Sequence, residues 1–132
     1  MDQALKSQLP EGVSLQVILD NRVLFESKGK WLYPIFDLQD YLQVHEQDRS
    51  RLLVKDKIIG KAAALLLIYL GISQVYAELI SKLGIEVFEK HHVPYSFKSC
   101  VPRITCQTEQ ILESIDNPQV AYQILCKRAN RC

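Results

Sequence analysis

The sequence has almost no net charge, no apolar run long enough for a membrane and no paired-cysteine motif, and each lack removes a class of function. Sixteen basic and fifteen acidic residues leave a net charge of +1, so no global field draws the chain to nucleic acid or to an anionic membrane. The main apolar stretch, Ile58 to Leu70, runs for about thirteen residues, where a bilayer-spanning helix needs roughly twenty. Cys100, Cys106, Cys126 and Cys132 form no CxxC pair, and their spacing fits no common structural zinc site. No repeat or low-complexity segment is present. The first residues, MDQALKSQLPEG, show no basic region followed by an apolar core, so a cytoplasmic location is the expectation. In that compartment the four cysteines are expected to be reduced thiols.

What is there is enough for one domain. A chain of 132 residues has the size and apolar content to bury a core, so residues 1–132 are expected to form a single unit, with 117–132 as a C-terminal helical extension. Leu15–Leu19 and Val23–Glu26 have strand composition, and Asp20-Asn21-Arg22 between them tolerates left-handed backbone, which predicts a hairpin. Pro34 suits the first turn of a helix, and Ile35, Leu38, Tyr41 and Leu42 recur at helical spacing behind it.

The segment from Leu52 to Gly71, LLVKDKIIGKAAALLLIYLG, holds the centre. It reads as a brief strand at Leu52–Val54, a charged turn at Lys55-Asp56-Lys57, and from Ile58 a helix apolar on nearly every side, which other elements must cover. Gly71 suits the helix end. Gln74–Ile80 reads as a central strand, and Ser81 as the cap of an amphipathic helix carrying Leu83, Ile85, Val87 and Phe88. His91 and His92 have two readings, a metal site completed by Cys100 or a polar loop after the helix. Val93–Phe97 restarts extended structure. Thr105 and Glu109 mark a further helix start with Ile111, Leu112 and Ile115 inward, and Asn117-Pro118 marks the last helix. Alternating strands and helices predict an α/β sheet with helices on both faces.

The block Asp56-Lys57-Ile58-Ile59-Gly60-Lys61-Ala62-Ala63-Ala64-Leu65, with Val75-Tyr76-Ala77 and a downstream Val101-Pro102 and Cys106-x-x-Glu109, resembles a small prokaryotic domain-of-unknown-function family. The likeness covers Leu15 to Glu113. It implies a cytidine-deaminase-like fold, a three-layer α/β/α sandwich with a mixed sheet, lacking the deaminase zinc site. The chain departs from the family's pattern around Cys106, where Arg103-Ile104-Thr105 is short and Gln107 follows the cysteine. A zinc deaminase needs His or Cys, with a Glu two positions on, at the start of its buried helix, and PCxxC at the next. Here those places hold Gly60-Lys61-Ala62-Ala63 and Ile80-Ser81-Lys82-Leu83-Gly84, so no deaminase chemistry and no metal or cofactor is expected.

The same edge still has chemistry. Lys61 with Gly60 and free helix N–H groups resembles an anion seat, or else Lys61 snorkels to solvent. Asp56 is either a helix N-cap or a residue facing the crevice where open α/β sheets bind ligands, and Ser81 sits at the matching end of the next strand. Cys106 is a thiol near a helix start, reactive or simply buried. The candidate ligand-facing set is therefore Asp56, Lys57, Gly60, Lys61, Ser81 and Cys106, for a nucleotide-like small molecule bound by a non-catalytic or regulatory domain. The alternatives are an interaction module that joins partners or copies of itself into a homo-oligomer, and a metal-independent enzyme using Cys106 or Asp56.

Overall fold

A computed structural model of the chain describes residues 8–104 and 107–132. The element order is β1 (Leu15–Leu19), β2 (Arg22–Ser27), α1 (Tyr33–Val44), a single 3-10 turn (Arg49–Arg51), β3 (Leu53–Ile59), α2 (Lys61–Tyr69), β4 (Val75–Ser81), α3 (Lys82–Lys90), β5 (Tyr95–Val101), α4 (Gln107–Ile111) and α5 (Pro118–Arg128). The strands form one mixed sheet in the order β2-β1-β3-β4-β5. β1 runs antiparallel to both β2 and β3, whereas β3, β4 and β5 are mutually parallel.

Local signals account for most boundaries. Asp20 and Asn21 take left-handed φ values of 52° and 64°, the pair that a two-residue hairpin turn requires. Pro34 stands in the first turn of α1. Gly71, at φ 80°, closes α2 with bonds from its own N–H to Ile68 and from the Ile72 N–H to Leu67, the Schellman pattern. His92 at φ 57° closes α3 in the same way, so the His91-His92 pair is a helix cap and its surroundings. Among the described residues no group of three or more His, Cys, Asp or Glu side chains is placed to hold a metal. Asn117 accepts from the N–H groups of Gln119 and Val120 at the start of α5.

One boundary and one inward-facing position differ from the sequence expectation. β3 does not stop at Val54 but continues through Ile59, so Lys55-Asp56-Lys57 is strand, Ile58 precedes the helix, and Asp56 cannot be its N-cap. The pairing explains this: Lys55 and Asp56 lie opposite Gln16 and Leu15 on one side and Tyr76 and Ala77 on the other, and hydrogen bonding on both edges outweighs the low strand propensity of charged residues. Ile111 is exposed, leaving Leu112 as the buried residue there.

α2 is the hub of the helical layer, in contact with α1, α3, α4 and α5. Its Ala62, Ala63 and Ala64 are buried with Leu65, Leu66 and Leu67 in the main core, which Ala121, Leu125, Cys126 and Ala129 of the C-terminal segment share. The described helices thus cover one face of the sheet; Ile18, Leu53 and Tyr76 form a separate small cluster. A second helical layer is not among the described residues, and no described helix is long and apolar enough to cross a membrane.

The cysteines are not all free. Cys126 and Cys132 form a disulfide, with Cα atoms 5.4 Å apart. After α5 the chain turns back at Asn130 (φ 59°) and the Arg131 N–H bonds the Cys126 carbonyl, which carries Cys132 to its partner. The expectation of reduced thiols fails at this pair, and such a bond is unusual in a reducing compartment. Cys100 remains a free, exposed thiol.

Candidate ligand-binding site

The parallel strands β3 and β4 end side by side, and each feeds a helix. At β4 the transition is self-sufficient: Ser81 caps α3 by accepting the Gly84 N–H at 3.0 Å. At β3 it is not, because the residue at the N-cap of α2 is Gly60, which has no side chain to offer. The missing acceptor comes from α4. Glu109, only 2% exposed, accepts the Lys61 N–H at 2.9 Å and the Ser81 hydroxyl at 2.7 Å on one carboxylate oxygen, and the Ile104 N–H at 2.7 Å on the other. A carboxylate at a helix N-terminus gains from the helix dipole as well as from its hydrogen bonds. The Lys61 N–H that the sequence reading offered to a ligand's anion is thus taken by the chain's own Glu109.

Lys61 is also accounted for. It is 5% exposed and does not snorkel; its Nζ reaches Asp116 at 2.9 Å and the Glu113 carbonyl at 3.1 Å. The charge thus joins the start of α2 to the segment after α4, and Lys61 holds the Asp116 carboxyl below its ordinary value.

Beside this brace lies a cavity of about 480 Å³. Asp56, Lys57, Gly60 and Lys61, four of the candidate residues, line it. Ser81 does not, and connects to it only through Glu109; Cys106 and the expected cap Thr105 lie outside the described residues. The opposite wall comes from the segment between β2 and α1, with Lys28, Gly29, Lys30 and Trp31, while Ile58, Ala62, Ala63 and Ile104 make apolar surface. Trp31 is 41% exposed and takes φ 57°, a left-handed conformation that is uncommon for a bulky residue and is associated with functional surfaces. Tyr33 packs edge-on against it at 5.2 Å, and the Arg131 guanidinium lies over the Tyr33 ring. Lys28, Lys30 and Lys57 make no ion pair among the described residues.

Asp56 is the chemically unusual member. It is 8% exposed, and burial pushes its carboxyl up to about 7 even though the backbone N–H groups of Ile58 and Lys57 pull the other way. A buried carboxyl that titrates near neutrality beside a cavity is the kind of group that functional sites hold.

Sequence reasoning missed Glu109, Trp31, Lys28 and Lys30 as site residues. Glu109 had a signal, an acidic residue in a Cys-x-x-Glu context, but its partners lie 48 and 28 residues away. Lys28-Gly29-Lys30-Trp31 carried a signal too, two cations and an aromatic around a glycine, though nothing in the local pattern says that it faces β3.

At the level of family and fold the chain has known relatives. No curated protein matches the chain. A crystal structure of a DUF1893 family protein, TM1506, from Thermotoga maritima superposes with a TM-score of 0.76 and 26% identity over 88% of this chain and 80% of that one. The family model described as TM1506, domain of unknown function (DUF1893), matches residues 4–128. With nearly its whole length matched, the chain belongs to the DUF1893 family, a family of unknown function.

Proposed function

We propose that the cavity binds a nucleotide-like anionic small molecule and that the protein acts as a binding or regulatory domain rather than as a zinc deaminase. One observation carries this: the cavity joins an exposed indole, Trp31, to three lysines, Lys28, Lys30 and Lys57, that make no ion pair among the described residues. An aromatic face suits a planar base, and clustered ammonium groups suit a phosphate. Such a ligand would lie at the carboxyl ends of parallel strands, where open α/β sheets generally bind. The architecture reads as cytidine-deaminase-like, with support from the β2-β1-β3-β4-β5 order, the antiparallel β1 and the two helices that start after β3 and β4. In that reading the Glu109 carboxylate joins the two helix starts between which a deaminase holds its metal.

The test is a thermal shift series with nucleosides, nucleotides and ribose 5-phosphate. A nucleotide at about one hundred times its Kd adds roughly 2.7 kcal/mol, which raises Tm by about 10 °C for a chain of this size. Nucleosides should do less. Unchanged melting across the whole panel overturns the proposal.

A second reading, self-association, has its own observation. β5 is the sheet's edge, and Ser96 to Cys100 are all exposed along it, leaving ladder positions open for another strand. Light scattering over a hundredfold range of concentration decides it; a monomer throughout removes it.

A further inference from the structure

Asp56 and Glu109 both line the cavity, yet only Glu109 is fully engaged by the chain. The Lys57 N–H beside Asp56 is committed to the Ser14 carbonyl at 2.9 Å, and the Asp56 carboxylate itself offers about four lone-pair positions. Among the described residues no cation completes it. Asp56 makes no ion pair among the described residues, and Lys61, the buried lysine on the same cavity, is committed to Asp116 and Glu113. Asp56 keeps 8% of its surface exposed and lines the cavity, so its acceptor positions are open to a ligand there.

The rest of the wall restricts that partner. Lys28, Lys30 and Lys57 at the same cavity disfavour a cationic head group, so the donor opposite Asp56 should be a neutral N–H. Trp31, Ile58, Ala62, Ala63 and Ile104 supply the apolar surface that a flat ring needs. We infer that Asp56 reads the base: its carboxylate accepts from a nucleobase edge that carries two adjacent N–H donors, as guanine does, while the phosphate faces Lys28, Lys30 and Lys57. This rests on the nucleotide-like reading above and names the base within it. Adenine and cytosine set one amino group beside a ring acceptor, whose lone pair would face the carboxylate, and uracil sets one N–H between two carbonyls. A bidentate match of this kind discriminates by about tenfold or more.

Proton linkage follows. Donors to the carboxylate favour its charged form, so guanine binding should draw a proton off Asp56 near neutral pH, and affinity should fall as pH drops. The other groups that face the cavity are Lys57 on the same strand, Lys61 on α2, Glu109 on α4, and Lys28 and Lys30 before α1. The Asp56→Asn variant separates their effect from that of Asp56.

The experiment is titration calorimetry of the full chain with GMP, AMP, CMP, UMP and ribose 5-phosphate, in two buffers of different ionisation enthalpy. GMP should bind at least about tenfold tighter than the other three nucleotides, with net proton release at pH 7. In Asp56→Asn, which keeps the shape of the side chain without its charge, the GMP-to-UMP ratio should collapse toward one and the proton release should vanish. In Lys28→Ala/Lys30→Ala all nucleotides should weaken together with the GMP preference retained, which keeps the test decisive if the Asp56 variant fails to fold. Nucleotides that bind alike, or a guanine preference that survives Asp56→Asn, overturn the inference and leave the nucleotide reading standing. If neither the nucleotides nor ribose 5-phosphate binds, the nucleotide reading itself falls.

Discussion

Glu109 and Asp56 are two buried carboxylates at one end of one sheet, and the chain treats them in opposite ways. Glu109 receives three donors, from α2, from β4 and from the segment before α4. Asp56 makes no ion pair among the described residues, and burial pushes its carboxyl up to about 7. Burial alone therefore does not make an acid structural; the origin of its donors does. Glu109 collects donors from distant segments and braces the fold, whereas Asp56 keeps acceptor positions open toward the cavity that both line.

The largest effect should come from removing the brace. Glu109→Ala leaves the Lys61 and Ile104 N–H groups and the Ser81 hydroxyl without their acceptor, and at about 1–3 kcal/mol per buried unsatisfied group, partly relieved by water, the loss should be about 3–5 kcal/mol in denaturant unfolding. A loss under about 1 kcal/mol would erase the contrast between the two acids.

Next in size, and opposite in sign, is Asp56→Asn. The Asp56 carboxyl titrates at about 7 in the fold against an ordinary 3.8. The folded state thus prefers the protonated form, and the stability that this preference supplies is complete below pH 4 and lost as pH rises through 7. The asparagine variant does not ionise. It should match the native chain near pH 4 and exceed it above pH 8, by up to roughly 4 kcal/mol. Unfolding curves at pH 4, 6 and 8 give the answer, and a difference that does not grow with pH would place Asp56 in water.

The smallest effect is expected at Ser81, which both caps α3 and donates to Glu109. Ser81→Ala should cost about 1–2 kcal/mol. Its cost should shrink in a Glu109→Ala background, because the two residues share one network; strictly additive losses would separate the cap from the brace.

How legible each part was follows from the same contrast. Ser81 was readable because the N–H it caps lies three residues away, and Asp20-Asn21, Pro34, Gly71 and Asn117-Pro118 were readable for the same reason of short range. The extent of β3 was not, since Lys55-Asp56-Lys57 has the composition of a turn and only pairing on both edges makes it strand. The site was half visible. Asp56, Lys57, Gly60 and Lys61 fall together on one stretch of chain, whereas Glu109 and the Trp31 wall reach them only through tertiary structure. The Cys126–Cys132 bond was missed because a spacing of six residues says nothing until a left-handed turn at Asn130 brings the ends together.

Gly60 carries a constraint of another kind. Its φ of −98° is open to any residue, so backbone freedom does not explain a glycine there. A Cβ at this position would stand 2.8 Å from the Glu109 carboxylate oxygen and 3.3 Å from Ile104. The space that a side chain would fill is already held by an acid from the other end of the sequence. Positions 60 and 109 thus behave as one locus: alanine at the first requires the Glu109 carboxylate to shift away from the Lys61 N–H that it accepts.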